Sequence, residues 1–236
     1  MGKIMKRNKT RRLQLRDEGI DFHGFYSLPD AIQLLQDRGK IGNGGVKFDS
    51  SVEFVFKCNV NTAKSDQSIR TLIPLPHGTG KIVRVAVFAE HGDAQEARAA
   101  GADIVGGSDL VEEVKKGRID FDFCIATPNL MAEVGTLGRI LGPRGLMPTV
   151  KTNTVTKDVK QAVKNAKFGQ VEVRAEKAGI VHGLMGKLSF LSSALEENFL
   201  HVYQALQKLR PSESKGEFIK KKGISSTMGF CLWIKI

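Results

Sequence analysis

The sequence predicts a two-domain protein in which both ends of the chain build an α+β domain and the middle forms an inserted α/β domain. A length of 236 residues suits two domains of ordinary size. The rhythm of apolar residues changes on either side of a central block, and basic charge concentrates at the two ends. The predicted domains are therefore residues 1–78 with 170–236, and residues 79–169.

The N-terminal part of the first domain is predicted to begin with a helix. Ser27 can cap a helix through PDAIQLLQDRG, because Ala31, Leu34 and Leu35 share one face.

The segment VKFDSSVEFVFKCNV, which follows this helix, alternates with period two. Its apolar phase contains Val46, Phe48, Val52, Phe54 and Phe56, and its polar phase contains Lys47, Asp49, Ser51, Glu53 and Lys57. This alternation predicts a half-buried antiparallel strand. Strict alternation would bury Phe48 with the other apolar residues, whereas a position at the end of the strand would leave it exposed.

The central block from Lys81 to Leu141 alternates apolar strands with helical segments of about ten residues. Near-continuous apolar strands joined by helices predict a small parallel sheet covered on both faces. The segments LPHGTG (75–80) and KFGQ (167–170) are predicted to be the two crossing strands of a hinge on either side of this block.

The C-terminal part of the chain predicts a hairpin, a helix and a strand. QVEVRAEKAGIVHGLMGK would turn near Lys177 to Gly179, and ISSTMGFCLWIKI would form a single last strand. Between them lies an amphipathic helix, closed by Pro211, whose apolar residues are Leu195, Phe199, Val202, Leu206 and Leu209.

The charge of the chain indicates a polyanionic partner. The formal net charge is +11, and residues 79–169 hold 13 basic against 11 acidic residues, which leaves 23 against 14 for the two ends. Nucleic acid is therefore expected to bind the end-built domain first. Aromatic residues make up only 7% of the chain, which favours recognition of structured RNA or its backbone over base stacking.

Cysteines and apolar runs indicate a cytosolic protein without metal sites. Cys58, Cys124 and Cys231 are odd in number and widely spaced, so they predict core residues and neither a disulfide framework nor a zinc site. The first 20 residues are basic and lack the apolar core of a secretory signal, and no apolar run reaches the length of a membrane helix. A transit peptide would be richer in serine, so an organellar address is less favoured.

The segment GRILGPRGLMP resembles the signature of the ribosomal protein L1 family of the large subunit, in its bacterial or organellar form. The matching positions are Gly138, Gly142, Pro143, Arg144, Gly145, Leu146 and Pro148. The resemblance continues through LPHGTGK near residue 80, KAGIVHGLMGK from Lys177 and SSTMG from Ser225, and so spans nearly the whole chain.

The resemblance implies both a fold and a function. It implies a discontinuous split β-α-β, ferredoxin-like domain with an inserted Rossmann-like three-layer α/β domain, whose two lobes can open and close. It also implies binding to 23S-type rRNA at the mobile stalk near the exit site for deacylated tRNA, and repression of translation through a similar structure in the messenger RNA of its own operon. The protein would be a monomer away from the ribosome, with no cofactor.

The resemblance further implies which residues contact RNA. They are Lys47, Phe48, Ser51 and Glu53 on the first strand, Lys177, His182, Gly186 and Lys187 around the hairpin, and Ser225, Ser226, Thr227, Met228 and Gly229 near the end. Hydroxyls suit hydrogen bonds to ribose and phosphate, and glycine permits close approach. A solvated sheet face and an ordinary polar turn would explain the same patterns. Ser51 stands where the family usually has threonine, and Phe230 and Cys231 where it tends to have proline and glycine.

Two questions stay open from the sequence. The basic N-terminal run could be an arm lying along RNA phosphates or a solvated tail. The inserted domain could also belong to a nucleotide-dependent enzyme. However, no G-x-G-x-x-G follows its first strand, the glycine-rich loop lacks the Gly-Lys-Ser/Thr of a P-loop, and the chain shows no catalytic constellation.

Overall fold

Two separate β-sheets organise the computed structural model, which describes Asp21 and residues 24–39, 48–62, 67, 69–211 and 216–235. The strands are β1 (Phe25–Tyr26), β2 (Ser51–Cys58), β3 (Arg70–Pro74), β4 (Val85–Phe88), β5 (Ile104–Gly106), β6 (Phe123–Ala126), β7 (Gln170–Ala175), β8 (Ile180–Lys187), β9 (Ile219–Ser226) and β10 (Cys231–Ile234). The helices are α1 (Leu28–Gly39), α2 (His91–Ala99), α3 (Ser108–Lys115), α4 (Met131–Gly135), α5 (Gly138–Leu141), α6 (Val159–Phe168) and α7 (Ser192–Lys208), with short 3-10 turns at Pro128–Leu130 and Val150–Thr152.

The larger sheet is assembled from both ends of the chain. Its strand order among the described residues is β1-β10-β9-β2-β8-β7-β3. Strands β8 and β9 flank β2, are both antiparallel to it, and are joined through α7. This is the predicted split β-α-β arrangement. Helices α1 and α7 cover one face, where Ala31, Phe54, Phe56, Phe199 and Leu206 are buried in one core.

The predicted beginning of α1 is confirmed. The Ser27 carbonyl accepts the Ala31 N–H at 3.0 Å, and the Ser27 hydroxyl accepts the Asp30 N–H at 3.4 Å. The predicted end of α7 is wrong by one apolar residue. Helix α7 ends at Lys208, so Leu209 lies outside the helix and is exposed, and it does not belong to the apolar face of α7.

The smaller sheet has the order β5-β4-β6 within the described part of the chain, and its strand pairs are parallel. One face packs against α2 and α6 through a core that includes Val87, Ile125 and Val163. The other face packs against α3 to α5 through a core that includes Phe88 and Val114. The predicted three-layer α/β architecture is therefore confirmed.

Two predicted features of the larger sheet are wrong. Strand β2 begins only at Ser51, so it is shorter than predicted; Phe48 lies before the strand and is 54% exposed, in agreement with the alternative of a strand-end position. The last segment is not one strand but a hairpin, because β9 and β10 are antiparallel with Cys231 opposite Ser225. The chain reverses between them at Met228, which has a φ of 63°, and at Gly229.

The two segments predicted as crossing strands do cross, although neither is a strand where they meet. The Leu75 N–H donates to the Gly169 carbonyl at 3.1 Å. Gly78 and Gly169 both have positive φ, and a Cβ on Gly169 would lie 2.8 Å from the Cα of Gly78. The crossing therefore requires glycine on steric grounds as well as conformational ones.

A buried asparagine fixes this crossing to the larger domain. The Asn198 amide nitrogen donates to the carbonyls of Gly78 (3.1 Å) and Met185 (2.9 Å), and its carbonyl oxygen accepts the His77 N–H at 3.1 Å. Asn198 is fully buried with both ends of its amide hydrogen-bonded, which makes it a rigid link between α7, β8 and the 75–80 segment.

Ion pairs fix the other ends of the two segments to the smaller sheet. Lys81 contacts Asp122 at 2.9 Å, and this hydrogen bond is the main reason that the pKa of Asp122 is lowered. Lys167 contacts Asp103 at 2.6 Å. Burial acts to raise the pKa of Asp103, but the Lys167 and Val85 hydrogen bonds outweigh it, so that pKa is also lowered.

The crossing generates a prediction with a matched control. Gly117 also has a φ near +100°, but a Cβ there meets open space. Gly117→Ala should therefore lower the free energy of unfolding only by the backbone strain, about 1–2 kcal/mol. Gly169→Ala adds a backbone clash and should cost at least about 2 kcal/mol more. Equal urea midpoints for the two variants would contradict the tight crossing.

The division into domains generates a second prediction. The larger sheet uses strands from 25–74 and 170–234 and shares no strand with the smaller sheet. A chain joining residues 1–78 to 170–236 by a short linker should therefore unfold cooperatively in urea, with the circular dichroism of an α+β domain. A non-cooperative transition would show that the predicted division is wrong.

Candidate nucleic-acid interface

The β9–β10 turn presents the hydroxyl-rich segment at one end of the larger sheet. The Gly229 N–H donates to the Ser226 carbonyl at 2.8 Å and closes the turn. A Cβ on Gly229 would clash with the Ser226 hydroxyl, so a side chain at this position would force that hydroxyl into another rotamer. Met228 sits in the left-handed region with its side chain 68% exposed. A non-glycine residue held in this conformation and pointing an apolar side chain at solvent is a candidate contact residue.

Thr227 joins this turn to the beginning of β2. Its N–H donates to the Ser51 carbonyl at 2.9 Å, and its hydroxyl accepts the Ser51 N–H at 3.2 Å. The same hydroxyl also lies 3.3 Å from the Ser51 carbonyl. The Thr227 hydroxyl therefore fixes the two strands to each other, and its contact with RNA stays a prediction.

Lys187 brings a positive charge to the same place. Its ammonium donates to the Ser51 hydroxyl at 3.0 Å, and Ser51 and Lys187 are register partners on β2 and β8. Phe48 lies just before β2 and is exposed, and Glu53 is exposed on β2 opposite Ser225. We call this group the turn-end surface: Phe48, Ser51, Glu53, Lys187 and residues 225–229. Lys47 lies outside the described residues.

Lys177 and His182 lie elsewhere. His182 pairs with Val55, four residues along β2 from Ser51, or about 13 Å at the usual rise per residue. Its Nε2 contacts Glu176 at 3.0 Å, and Lys177 lies in the β7–β8 turn at the opposite end of β8. The structure therefore divides the predicted RNA-contact residues into two groups at different ends of the sheet.

Gly186 serves packing on the covered face of the larger sheet. A Cβ on Gly186 would lie 2.9 Å from Leu195 Cδ2 and 3.0 Å from the Phe190 ring. Its missing side chain makes room for α7 on the covered face and opens nothing on the outer face. Gly186 is therefore a packing residue of the covered face, and its contact with RNA stays a prediction.

The signature loop forms a tight exit from α5 in the inserted domain. A Cβ on Gly142 would lie 2.4 Å from the Gly138 carbonyl, and Gly145 has a φ of 72°. Leu146 packs on the core and Pro148 is buried, while Gly142, Pro143 and Arg144 are exposed. Gly145 and Leu146 also border a cavity of about 200 Å³ with Arg70 and Glu172 of the β3–β7 edge.

The described residues do not form a metal site, a membrane-spanning helix or a reactive thiol. They contain no group of histidine, cysteine and carboxylate side chains that could hold a metal ion, and none of their helices could cross a bilayer. Cys58 and Cys124 are buried, and burial raises the pKa of the Cys58 thiol to about 11. Both therefore remain protonated at neutral pH.

Comparison with known proteins gives a consistent result. A sequence profile described as the ribosomal protein L1p/L10e family matches residues 40–230. The chain is 51% identical over 229 residues to the large ribosomal subunit protein uL1 of Polaromonas sp. strain JS666, covering 97% of this chain and 95% of that one. It is 50% identical over 220 residues to the uL1 protein of Polynucleobacter necessarius, covering 93% and 92%. It is also 49% identical over 229 residues to that of Marinobacter nauticus, covering 97% and 95%.

The Thr227 contacts predict a stability effect at this surface. Thr227→Val keeps the branched shape but leaves the Ser51 N–H without its hydroxyl acceptor, so it should lower the free energy of unfolding by about 1–2 kcal/mol. Thr227→Ser keeps the hydroxyl and should cost clearly less. If the valine variant is as stable in urea as the parent protein, the hydroxyl does not join the strands as described.

Proposed function

The chain belongs to the ribosomal protein L1 family, and we propose that it binds the rRNA of the mobile stalk, near the exit site for deacylated tRNA, through the turn-end surface. As a member of this family it is a structural constituent of the large ribosomal subunit and not an enzyme. It is therefore a protein of the cytoplasmic ribosome, and the nucleotide-dependent enzyme that the inserted domain suggested is not supported.

The proposal rests on the hydrogen bonds that converge on Ser51. Thr227 and Lys187, which are far away in sequence, both contact Ser51 at the beginning of β2. These contacts hold the Ser51 hydroxyl and the Lys187 ammonium next to the β9–β10 turn, which contains the half-buried Ser225 and Ser226 and the exposed Met228. Hydroxyls and ammonium groups suit ribose 2′-hydroxyls and phosphates, which are the groups by which RNA shape is recognised.

Glu53 adds selectivity to this surface. Its exposed carboxylate repels phosphate but can accept a hydrogen bond from a base amino group. We therefore expect the RNA backbone to run past Ser51 and Lys187, with a base edge facing Glu53. Met228 would pack against a ribose or base at the turn.

Two finer functions follow from the family resemblance. The same surface would bind a similar structure in the messenger RNA of the protein's own operon and so repress translation. The exit-site tRNA would be a further partner on the assembled ribosome. A cell-free translation assay should show repression of a reporter that carries this messenger RNA structure, and no repression when its stem is disrupted.

A mobility-shift assay tests RNA binding directly. The full chain should bind a stalk rRNA fragment at least about a hundredfold more tightly than an unrelated hairpin of equal length. The operon messenger RNA should compete with the stalk fragment for the protein. Equal affinity for the stalk fragment and the unrelated hairpin would overturn the proposal.

The exposed methionine predicts a sharp effect on binding. Met228→Asp places a negative charge against an RNA backbone and should weaken stalk RNA binding at least about tenfold. Met228→Leu keeps the apolar character and should stay within about threefold of the parent affinity. Because the side chain is exposed, the melting temperatures of both variants should match the parent protein. Tight binding by the intact aspartate variant would exclude the turn from the interface.

The salt dependence of binding should separate specific from non-specific contacts. Log affinity is expected to fall linearly with log salt, by about 0.7–0.9 for each phosphate contacted. Specific binding to stalk RNA also uses uncharged hydroxyl contacts, so it should persist at salt concentrations that abolish binding to random RNA. If both RNAs bind with the same affinity and the same slope of log affinity against log salt, the binding is purely electrostatic and not specific.

A further inference from the structure

A second surface on the larger sheet combines aromatic and basic side chains. It lies on the face of the sheet that the described helices leave uncovered, and it crosses four adjacent strands, β1, β10, β9 and β2. Phe25 is the register partner of Trp233, Trp233 of Gly223, and Lys57 of Lys221. We call this group the aromatic platform: Phe25, Trp233, Lys221 and Lys57.

The outward orientation of the platform follows from alternation along each strand. Leu232 and Ile234 are buried in the core beneath the helices, so Trp233 between them faces outward. Tyr26 packs against the same core, so its neighbour Phe25 faces outward and is 62% exposed. Phe25 is thus a large aromatic side chain left in solvent beside a half-buried tryptophan.

The tryptophan is held in place rather than left loose. A Cβ on Gly223 would lie 3.2 Å from the Trp233 ring, so the indole covers the bare backbone of this glycine. The Lys221 ammonium lies 5.5 Å from the ring centroid. Packing against Gly223 alone would explain the tryptophan, but it explains neither the exposed Phe25 nor the lysines.

The lysines indicate an anionic ligand. Lys57 and Lys221 are directly opposite each other on β2 and β9, and both are exposed. Like charges in this position repel and destabilise a sheet. An anion between them would remove that repulsion. A basic N-terminal segment does not complement such a surface, because its first 16 residues contain no acidic side chain.

We propose that the aromatic platform is a second nucleic-acid site, which stacks unpaired bases on Phe25 and Trp233 and binds their phosphates through Lys57 and Lys221. Aromatic side chains on an open sheet face are a general means of binding single strands, because every base has a π-face. The platform begins about 7 Å along β9 from the turn-end surface, since Gly223, the register partner of Trp233, precedes Ser225 by two residues. A single strand leaving an RNA bound at that surface could reach it, but the platform does not require that RNA.

Intrinsic fluorescence tests the site specifically, because Trp233 is the only tryptophan in the chain. Titration of the full chain with a six-residue oligouridylate should quench this fluorescence. Polyphosphate and oligoglutamate carry similar charge without bases and should not quench it. The proposal is overturned if oligouridylate causes no change up to about 1 mM, well above the usual range of non-specific affinities, or if the base-free polyanions quench equally.

Matched variants assign the contributions of the side chains. Phe25→Ala should weaken oligouridylate binding at least about fivefold, as expected for one lost stacking contact. Leu191→Ala removes another exposed apolar side chain, at the beginning of α7, and should have no effect. Equal weakening by the two variants, with the fold intact by circular dichroism, would overturn base stacking.

Lysine variants test the phosphate contacts. Lys221→Gln should reduce the slope of log affinity against log salt by about 0.7, whereas Lys208→Gln, at the end of α7, should not. An unchanged slope for Lys221→Gln would overturn the assignment of Lys221. Loss of stalk rRNA binding with oligouridylate quenching intact would count against the proposed function alone, and the reverse result against the platform alone.

Discussion

The crossing of two chain segments beside Gly78 and Gly169 is the constraint on which the rest of the structure depends. The chain must leave the larger sheet after β3 and return to it before β7, and these two strands are antiparallel neighbours. The two connecting segments are thereby forced together, and only glycine fits where their backbones meet. Asn198 then fixes one of them to α7 and β8, and the ion pairs at Lys81 and Lys167 fix both of them to the smaller sheet. These contacts pair the N–H groups of Leu75 and His77 and the carbonyls of Gly78 and Gly169, so these backbone groups keep hydrogen bonds where the chain enters and leaves the inserted domain.

The larger sheet separates packing from recognition by its two faces. One face is covered by α1 and α7 and holds a continuous core. The other face and the strand ends carry the polar, basic and exposed aromatic side chains. Gly186 and Gly223 show that packing and recognition use opposite faces of the same sheet. The first glycine makes room for Leu195 and Phe190 on the covered face, and the second accommodates the Trp233 ring on the open face.

The candidate RNA site could be predicted in part from the sequence. Its hydroxyl-rich turn and the strand containing Ser51 and Glu53 were identified as candidates from residue chemistry and from the family resemblance. That Thr227 and Lys187 both bond to Ser51 was not predictable, because no local pattern specifies which strands become neighbours. The same limitation hid the aromatic platform. Aromatic residues are sparse along the chain, and only the pairing of β1 with β10 brings Phe25 and Trp233 together.

The sequence by itself determined the alternation of β2, the amphipathic faces of α1 and α7, the β-α rhythm of the inserted domain, and the family. These depend on local periodicity and short motifs, which a linear reading can detect. Only the tertiary structure decided between the two alternatives for Phe48, and it alone showed that the C-terminal segment is a hairpin and that Lys177 and His182 lie far from the turn. Each of these depends on where a strand begins or which strand it pairs with. Strand pairing is set by contacts between residues far apart in sequence, and a short stretch of sequence does not specify these contacts or their energies.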